Sequence, residues 1–422
     1  MPACGNHPIG TEPLLAILPP RPPARKDVNS RLGLGIRLAS LHASLSTVSG
    51  VQTPLWPLFL AWRGLGPVEI GLMLSAAYIV KIVSNPIAGY VSDRLGDRRM
   101  PLIVLAGVSL AAYLLFALVT GFWPLLALTL IAAGAYTALG PLGDNLTLLA
   151  ISGQRIHYGH VRVFGSISFM LFSGVASDLL IGEPPMWIVW TLVAGLVVIL
   201  FACWRLPRVK GERQSGKRRG MRVLLKSPIF LLFIGAAALN QSSNTALYGF
   251  GTLHWRAGGL SGGEIGALWA EMVAAEAIFF SLGHRIVAAI GPRWLLVLGG
   301  AGGIVRWTVT ALTVDPVMLA TVQWMHCLTF TASHLAAMYF IQRSVPIELS
   351  GRAQALYSSI ALGLNFGLFL PVAGWLYEAI GGGNTFMVMA VLSAAGLGLS
   401  VTLLRLWKGG PAVPATGSPQ PA

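Results

Sequence analysis

The chain has 422 residues, 55% of them hydrophobic and 10% charged, with a mean hydropathy of +0.71. Soluble domains carry about a quarter charged residues and disordered chains are poor in apolar ones, so both classes are excluded and a polytopic membrane protein remains. The net charge of +14, from 29 basic and 15 acidic residues, is then a matter of where the charges sit rather than a sign of nucleic-acid binding.

In chain order, residues 1–31 hold seven prolines and one five-residue apolar patch at 14–18. That patch is too short for a signal-peptide core, and 1–35 reads as a disordered cytoplasmic tail, which an over-extended gene start would also explain. About 20 apolar residues cross a bilayer. Uncharged stretches of that length recur at 38–62, 100–143, 184–204, 227–255, 316–342, 353–377 and 379–404. The stretch 100–143 is divided at Gly121-Phe122-Trp123-Pro124 into two spans and a tight hairpin. Apolar stretches with a few charges, 68–90, 160–181, 264–282 and 294–314, bring the expected number of spans to twelve.

Between Arg208 and Lys226 lie eight basic residues and one acidic residue. Without interleaved aromatics or a fold to hold them, they read as a solvated linker near anionic headgroups. This linker, 206–226, separates a six-helix bundle at 36–205 from a second at 227–406, with a further disordered tail at 407–422. The expected fold is therefore an all-α membrane protein of two six-helix bundles, the architecture of transporters whose site lies between the halves. Gly96-x-Arg98 after the second span returns 195 residues later as Gly291-x-Arg293.

With the N-terminus inside, 23 of the 29 Lys and Arg fall in inside segments, two (Arg63 and Arg256) outside, and four (Arg37, Lys81, Arg162, Arg306) within or at the edge of spans. The positive-inside rule then puts both termini in the cytoplasm. Cys4, Cys203 and Cys327 have no metal-ligand spacing, and their odd number argues against a disulfide framework. No metal or cofactor is expected, and no nucleophile–base pair or phosphate loop suggests an enzyme.

The run Gly89-Tyr90-Val91-Ser92-Asp93-Arg94-Leu95-Gly96-Asp97-Arg98-Arg99 fits the major facilitator loop signature G-x-x-x-D-R-x-G-x-R-R at every fixed position. Gly89 is expected to let the second span approach a neighbour, and Asp93 to meet a helix N-terminus or an arginine. The second copy has Ala288 in place of the aspartate, so gating is expected to be stronger in the first half.

Six further runs carry a closer resemblance: Tyr158-Gly159-His160-Val161-Arg162-Val163-Phe164-Gly165-Ser166, Tyr248-Gly249-Phe250 with His254-Trp255, Gly303-Ile304-Val305-Arg306-Trp307, His326-Cys327-Leu328-Thr329-Phe330, His334-Leu335-Ala336-Ala337-Met338 and Gln354-Ala355-Leu356-Tyr357-Ser358. Together they resemble the phenylpropionate permease family of the major facilitator superfamily, related to the lactose permease and nucleoside–proton symporters. The resemblance covers about residues 38–404 and implies an inner-membrane, proton-coupled importer of a small organic solute.

Ionisable groups inside a bilayer cost about 2.5 kcal/mol or more each, so they mark pathways. Asp144 and Arg162, 18 residues apart, resemble the sugar-binding carboxylate and arginine of the lactose permease, and an arginine fork suits carboxylates and hydroxyls alike. Phe169 follows seven residues after Arg162, where that family has a stacking aromatic. Lys81 aligns with a phenylpropionate-family arginine and needs an anionic partner, either the substrate or Asp144. In the second half, Arg306 and His326 resemble the lactose permease proton-coupling set, and Glu276 matches a phenylpropionate-family glutamate. Glu271 is an additional carboxylate about 140° around the helix from Glu276. Thr329 stands where the lactose permease has its protonatable glutamate, which moves the expected coupling role to Glu276, with a structural Glu276–Arg306 pair as the alternative.

Asn240, Asn244 and Tyr248 form one polar stripe, and His42, Ser46 and Ser49 another; His326, Phe330 and His334 form a third. Such stripes serve as interhelical glue or line a cavity. The reading that unites these features is a monomeric proton-coupled symporter of an aromatic carboxylate, whose ring stacks on Phe169 and Phe330. A sugar or nucleoside symporter, a drug–proton exporter and, last, a membrane-embedded transferase are the alternatives.

Overall fold

The computed structural model describes residues 25–152, 154, 156–209 and 221–413, and among them it is helical with no β-strand. Six helices run in order: α1 (Arg25–Trp62), α2 (Pro67–Leu95), α3 (Arg99–Phe116), α4 (Phe122–Ile151), α5 (Tyr158–Leu180) and α6 (Met186–Arg205). After a short α7 (Met221–Leu225), the seventh crossing is made by α8 (Pro228–Ser242) and α9 (Thr245–Ala257), interrupted at Ser243 and Asn244. The long α10 (Gly262–Leu312) is two crossings folded back at Gly291, whose φ of 75° only glycine adopts readily, followed by Pro292.

The tenth crossing joins α11 (Pro316–Gln323) to α12 (Ser333–Ser344) through a π-helical turn, Cys327–Ala332. The eleventh joins α13 (Ile347–Tyr357) to α14 (Asn365–Ile380) through another, Ser358–Leu364, and α15 (Gly382–Leu406) is the twelfth. Among the described residues eight helices, counting α13–α14 as one, are long and apolar enough to cross a membrane on their own. Folding α10 double and adding α1, the α8–α9 pair and the α11–α12 pair brings the total to the expected twelve.

Two predicted boundaries move. Helix α1 begins at Arg25, inside the stretch read as a disordered tail. Residues 407–413 are also folded. Trp407 and Val413 are buried, the amides of Ala412 and Val413 donate to the Ser344 carbonyl at 2.9 and 3.2 Å, and the Ser227 hydroxyl donates to the Ala412 carbonyl at 2.6 Å. The cause is a hydrophobic contact, since Trp407 stacks edge-on against Phe340 of α12. Most of the basic linker, 210–220, lies outside the described residues.

Two close backbone crossings join the halves, α2 on α14 and α5 on α10. At one, a Cβ on Gly71 of α2 would lie 2.6 Å from the Leu370 carbonyl oxygen of α14. At the other, a Cβ on Gly266 of α10 would lie 2.6 Å from the Gly174 carbonyl oxygen of α5. Only glycine permits such backbone contact. Gly71 and Gly266 are themselves 195 residues apart and sit in the repeated tripeptide Glu-Ile-Gly, at 69–71 and 264–266.

Each glutamate of that tripeptide caps the start of its helix, and with Ser261 the second forms a full capping box. Glu69 accepts from the Gly66 amide at 2.9 Å and Glu264 from the Ser261 amide at 2.8 Å. Cross-half hydrogen bonds lie in the same region: the Val68 amide donates to Glu378 at 3.4 Å and the Ser75 hydroxyl to the Gly367 carbonyl at 2.5 Å. Toward the opposite end, Val83, Ile87 and Tyr90 of α2 and Val163, Phe164 and Ile167 of α5 are exposed. The halves are thus closed at the Glu-Ile-Gly end and splayed at the end carrying the Asp93 loop.

Candidate functional site

In the first half, the stripe His42, Ser46 and Ser49 of α1 lines a cavity of about 140 Å³ together with Leu45, Tyr136, Gly140, Asp144 and Arg162. The His42 Nε2 lies 3.0 Å from the Thr147 hydroxyl, and its Nδ1 lies 3.7 Å from Asp144, whose side chain is 40% exposed. Asp144 and Arg162 share this cavity but form no ion pair among the described residues. Tyr158, the first residue of α5, stands between them. Its phenol donates to Asp144 at 2.8 Å and lies close enough to Arg162 to feel its charge.

The second half holds a dry cluster. Arg306 is fully buried. Its guanidinium donates to His326 Nδ1 at 2.8 Å, to the Thr329 hydroxyl at 3.0 Å, to Asn244 at 3.4 Å and to the Gln323 carboxamide oxygen, and it lies 4.4 Å from the Trp307 ring centre. The other ring nitrogen of His326, Nε2, lies 2.7 Å from Glu276, whose side chain is 20% exposed.

These contacts fix the tautomer. An arginine has no acceptor, so His326 Nδ1 offers its lone pair and the ring proton sits on Nε2, facing the carboxylate. Glu276 and Arg306 are therefore not a direct pair. The π-helical turn that starts at Cys327 carries Thr329 to Arg306 and Phe330 into a stack on His326, with ring centres 5.4 Å apart.

Between the halves runs an aromatic chain. Tyr78 of α2 stacks on Phe366 of α14 at 4.9 Å, Phe366 lies 5.8 Å from Tyr248, and Tyr248 meets both Trp269 and His326, with its hydroxyl 3.3 Å from Nε2. Lys81 lies 4.0 Å above the Tyr78 ring, and no carboxylate among the described residues, Asp144 included, is within ion-pair range of it.

Other expectations change. Asn240 is 1% exposed, and its amide is pinned to the Leu296 carbonyl at 3.0 Å, so it ties α8 to α10 instead of facing a substrate. Asn244 belongs to the Arg306 cage. Phe169 presents its backbone to Gly50 and is not among the residues lining the cavity. Glu271 does not join the relay, and its Oε1 is buried without a hydrogen-bond partner.

In the loop, Asp93 pairs with Arg98 of the same turn, Gly96 takes the left-handed conformation that ends α2, and Arg94 is exposed. Arg99 donates to the Trp204 carbonyl at the end of α6. Arg293 does the same for the Trp407 carbonyl beyond α15, at 2.7 Å, so its structural counterpart is Arg99 and not Arg98. A Cβ on Gly89 would meet nothing within 4 Å, so no neighbour approaches there. Nothing local in the sequence marks Tyr78, Phe366 or Gln323, or the contact of Tyr158 with Asp144. Tyr158 itself carries one local signal, its place four residues before an intramembrane arginine.

The sequence profile described as the MFS_1 like family matches residues 37–388. The chain belongs to this family. Among curated relatives of this MFS_1-like protein, a probable 3-phenylpropionic acid transporter of Escherichia coli (strain K12) is 29% identical over 355 residues, covering 82% of this chain and 91% of that one. A maltose permease of Geobacillus stearothermophilus is 28% identical over 365 residues, covering 82% and 89%. Among solved structures, the nucleoside transporter NupG matches with a TM-score of 0.77 at 16% identity, covering 89% of this chain and all of that one. A bacterial homologue of the human lysosomal transporter Spinster, inward-facing and unoccupied, matches with a TM-score of 0.69 at 15% identity, covering 89% and 97%. The fold is that of the major facilitator superfamily and the protein is a membrane transporter, not an enzyme.

Proposed function

We propose that this transporter carries a small aromatic carboxylate together with a proton across the inner membrane of a bacterial cell, with both termini cytoplasmic. The arrangement that carries the reading is the dry chain Glu276–His326–Arg306. Glu276 can take up a proton while Arg306 keeps all its partners. Once Glu276 is neutral, the buried positive charge of Arg306 is uncompensated, and with Lys81 and Arg162 it favours an incoming anion. The proton therefore binds before the cargo. His326 Nε2–H, released from a carboxylate, turns to the Tyr248 oxygen, and Tyr248 touches the Phe366–Tyr78 stack that joins the halves. Protonation is thus read at the interface that must rearrange for alternating access.

Lys81 without an acidic partner supports a monocarboxylate, and the Tyr78, Phe366 and Phe330 rings support an aromatic body. The 23-to-2 distribution of basic residues supports the orientation, and with it an inward-facing state open at the Asp93 end. A sugar or nucleoside is the second reading, favoured by the half-exposed Asp144 carboxylate, which accepts hydroxyls.

Uptake into proteoliposomes under an imposed inward proton gradient tests the reading. Accumulation of an aromatic acid, with an apparent KM that falls as external pH falls, is the expected result. Absence of gradient-driven flux for aromatic acids, sugars and nucleosides overturns it.

A further inference from the structure

We infer that Tyr158 is a positioning residue that keeps the Asp144 carboxylate off Arg162, so that the guanidinium meets an anionic cargo instead of an internal one. The inference rests on the proposed function in taking Arg162 as a cargo contact. Asp144 and Arg162 line one small cavity, and opposite charges in such a space pair when nothing intervenes. Here a phenol intervenes: Tyr158 donates to Asp144 at 2.8 Å and sits within reach of the Arg162 charge. His42 Nδ1, 3.7 Å from Asp144, holds the carboxylate from the α1 side.

Gly165 completes the arrangement. A Cβ there would lie 2.7 Å from an Arg162 Nη and 2.8 Å from the Ser46 hydroxyl. The guanidinium therefore folds back over the bare glycine, one turn along α5, into the space a side chain would fill. Tyr158 sits one turn before Arg162 and Gly165 just under one turn after it, so the run of three is a single device on one helix face. It presents a forked donor edge to the cavity.

Modification of Arg162 by phenylglyoxal, read by mass spectrometry on the purified full-length protein, tests the positioning without knowledge of the cargo. Tyr158→Phe should slow the labelling of Arg162 about two- to fivefold, the protection a partly exposed ion pair gives once Asp144 swings onto it. Adding Asp144→Asn to Tyr158→Phe should restore the rate. With 3-phenylpropionate as transport probe, Tyr158→Phe should raise KM by a similar factor with the maximal rate little changed, and the double variant should return KM toward wild type.

Equal labelling in wild type and Tyr158→Phe, or no recovery in the double variant, overturns the inference. If labelling behaves as expected but neither Tyr158→Phe nor Arg162→Lys alters KM, the positioning stands and the assignment of Arg162 to cargo binding falls.

Discussion

Both halves contain a carboxylate, a bridging ring and a guanidinium, but they keep them in different surroundings. In the first half, Asp144 and Arg162 line a small cavity at the splayed end, Tyr158 is hydrogen-bonded to Asp144, and Asp144 is 40% exposed. In the second half, Glu276, His326 and Arg306 form an unbroken chain whose histidine and arginine are fully buried. The bridging group follows the setting. A phenol near water separates two charges so that one is available to a ligand, whereas a dry imidazole links two charges so that a proton on one is felt by the other. On the proposed function, the difference assigns recognition to the wet set of these three groups and coupling to the dry one.

The strongest way to break this contrast is to remove the buried cation. Arg306→Met removes the donor that His326, Asn244, Thr329 and Gln323 share, and leaves Glu276 without a compensating charge. It should cost about 3–5 kcal/mol of stability, read as a lower thermal midpoint in detergent, while the same change at exposed Arg162 should leave the midpoint almost unmoved. Glu276→Gln fixes the neutral state of the dry chain. Concentrative uptake should disappear while exchange of substrate across the membrane persists, as counterflow would show; loss of both with normal folding would move Glu276 from coupling to binding.

Arg162→Lys keeps the charge and removes the fork. It should weaken cargo binding by about tenfold or more, roughly 1.4 kcal/mol, and leave the dependence of uptake on the proton gradient intact. The smallest effect belongs to the capping glutamates. The Ser261 amide and hydroxyl both donate to Glu264 at 2.8 Å. Glu264→Gln weakens this cap and should lower the thermal midpoint slightly, read in detergent beside the parent.

The helices were legible in the sequence because the cost of polar groups in lipid is written residue by residue, and so were the charges that matter. Arg306, His326, Glu276, Asp144 and Arg162 all stand in the clusters the structure shows. What sequence could not place is the order of contact. That His326 lies between Glu276 and Arg306 depends on the fold-back at Gly291 and the π-helical turn at Cys327, neither of which has a period of its own. Asn240 lies on the same helical stripe as Asn244 but is pinned into the packing by Leu296, a distinction made by a neighbouring helix. The Tyr78–Phe366 stack joins residues 288 positions apart. The Glu-Ile-Gly repeat, by contrast, was readable at the same 195-residue offset as Gly96 and Gly291.

That repeat has a consequence for how the closed end is set. Each interface helix starts at a fixed cap, and its glycine arrives two residues after the capping glutamate, so the contact point is a matter of angular phase. A single residue inserted between Glu69 and Ile70 would turn Gly71 by about 100° and swing a bulkier neighbour against Leu370. The closed end of this molecule is thus set by counting residues from a helix start, once in each half.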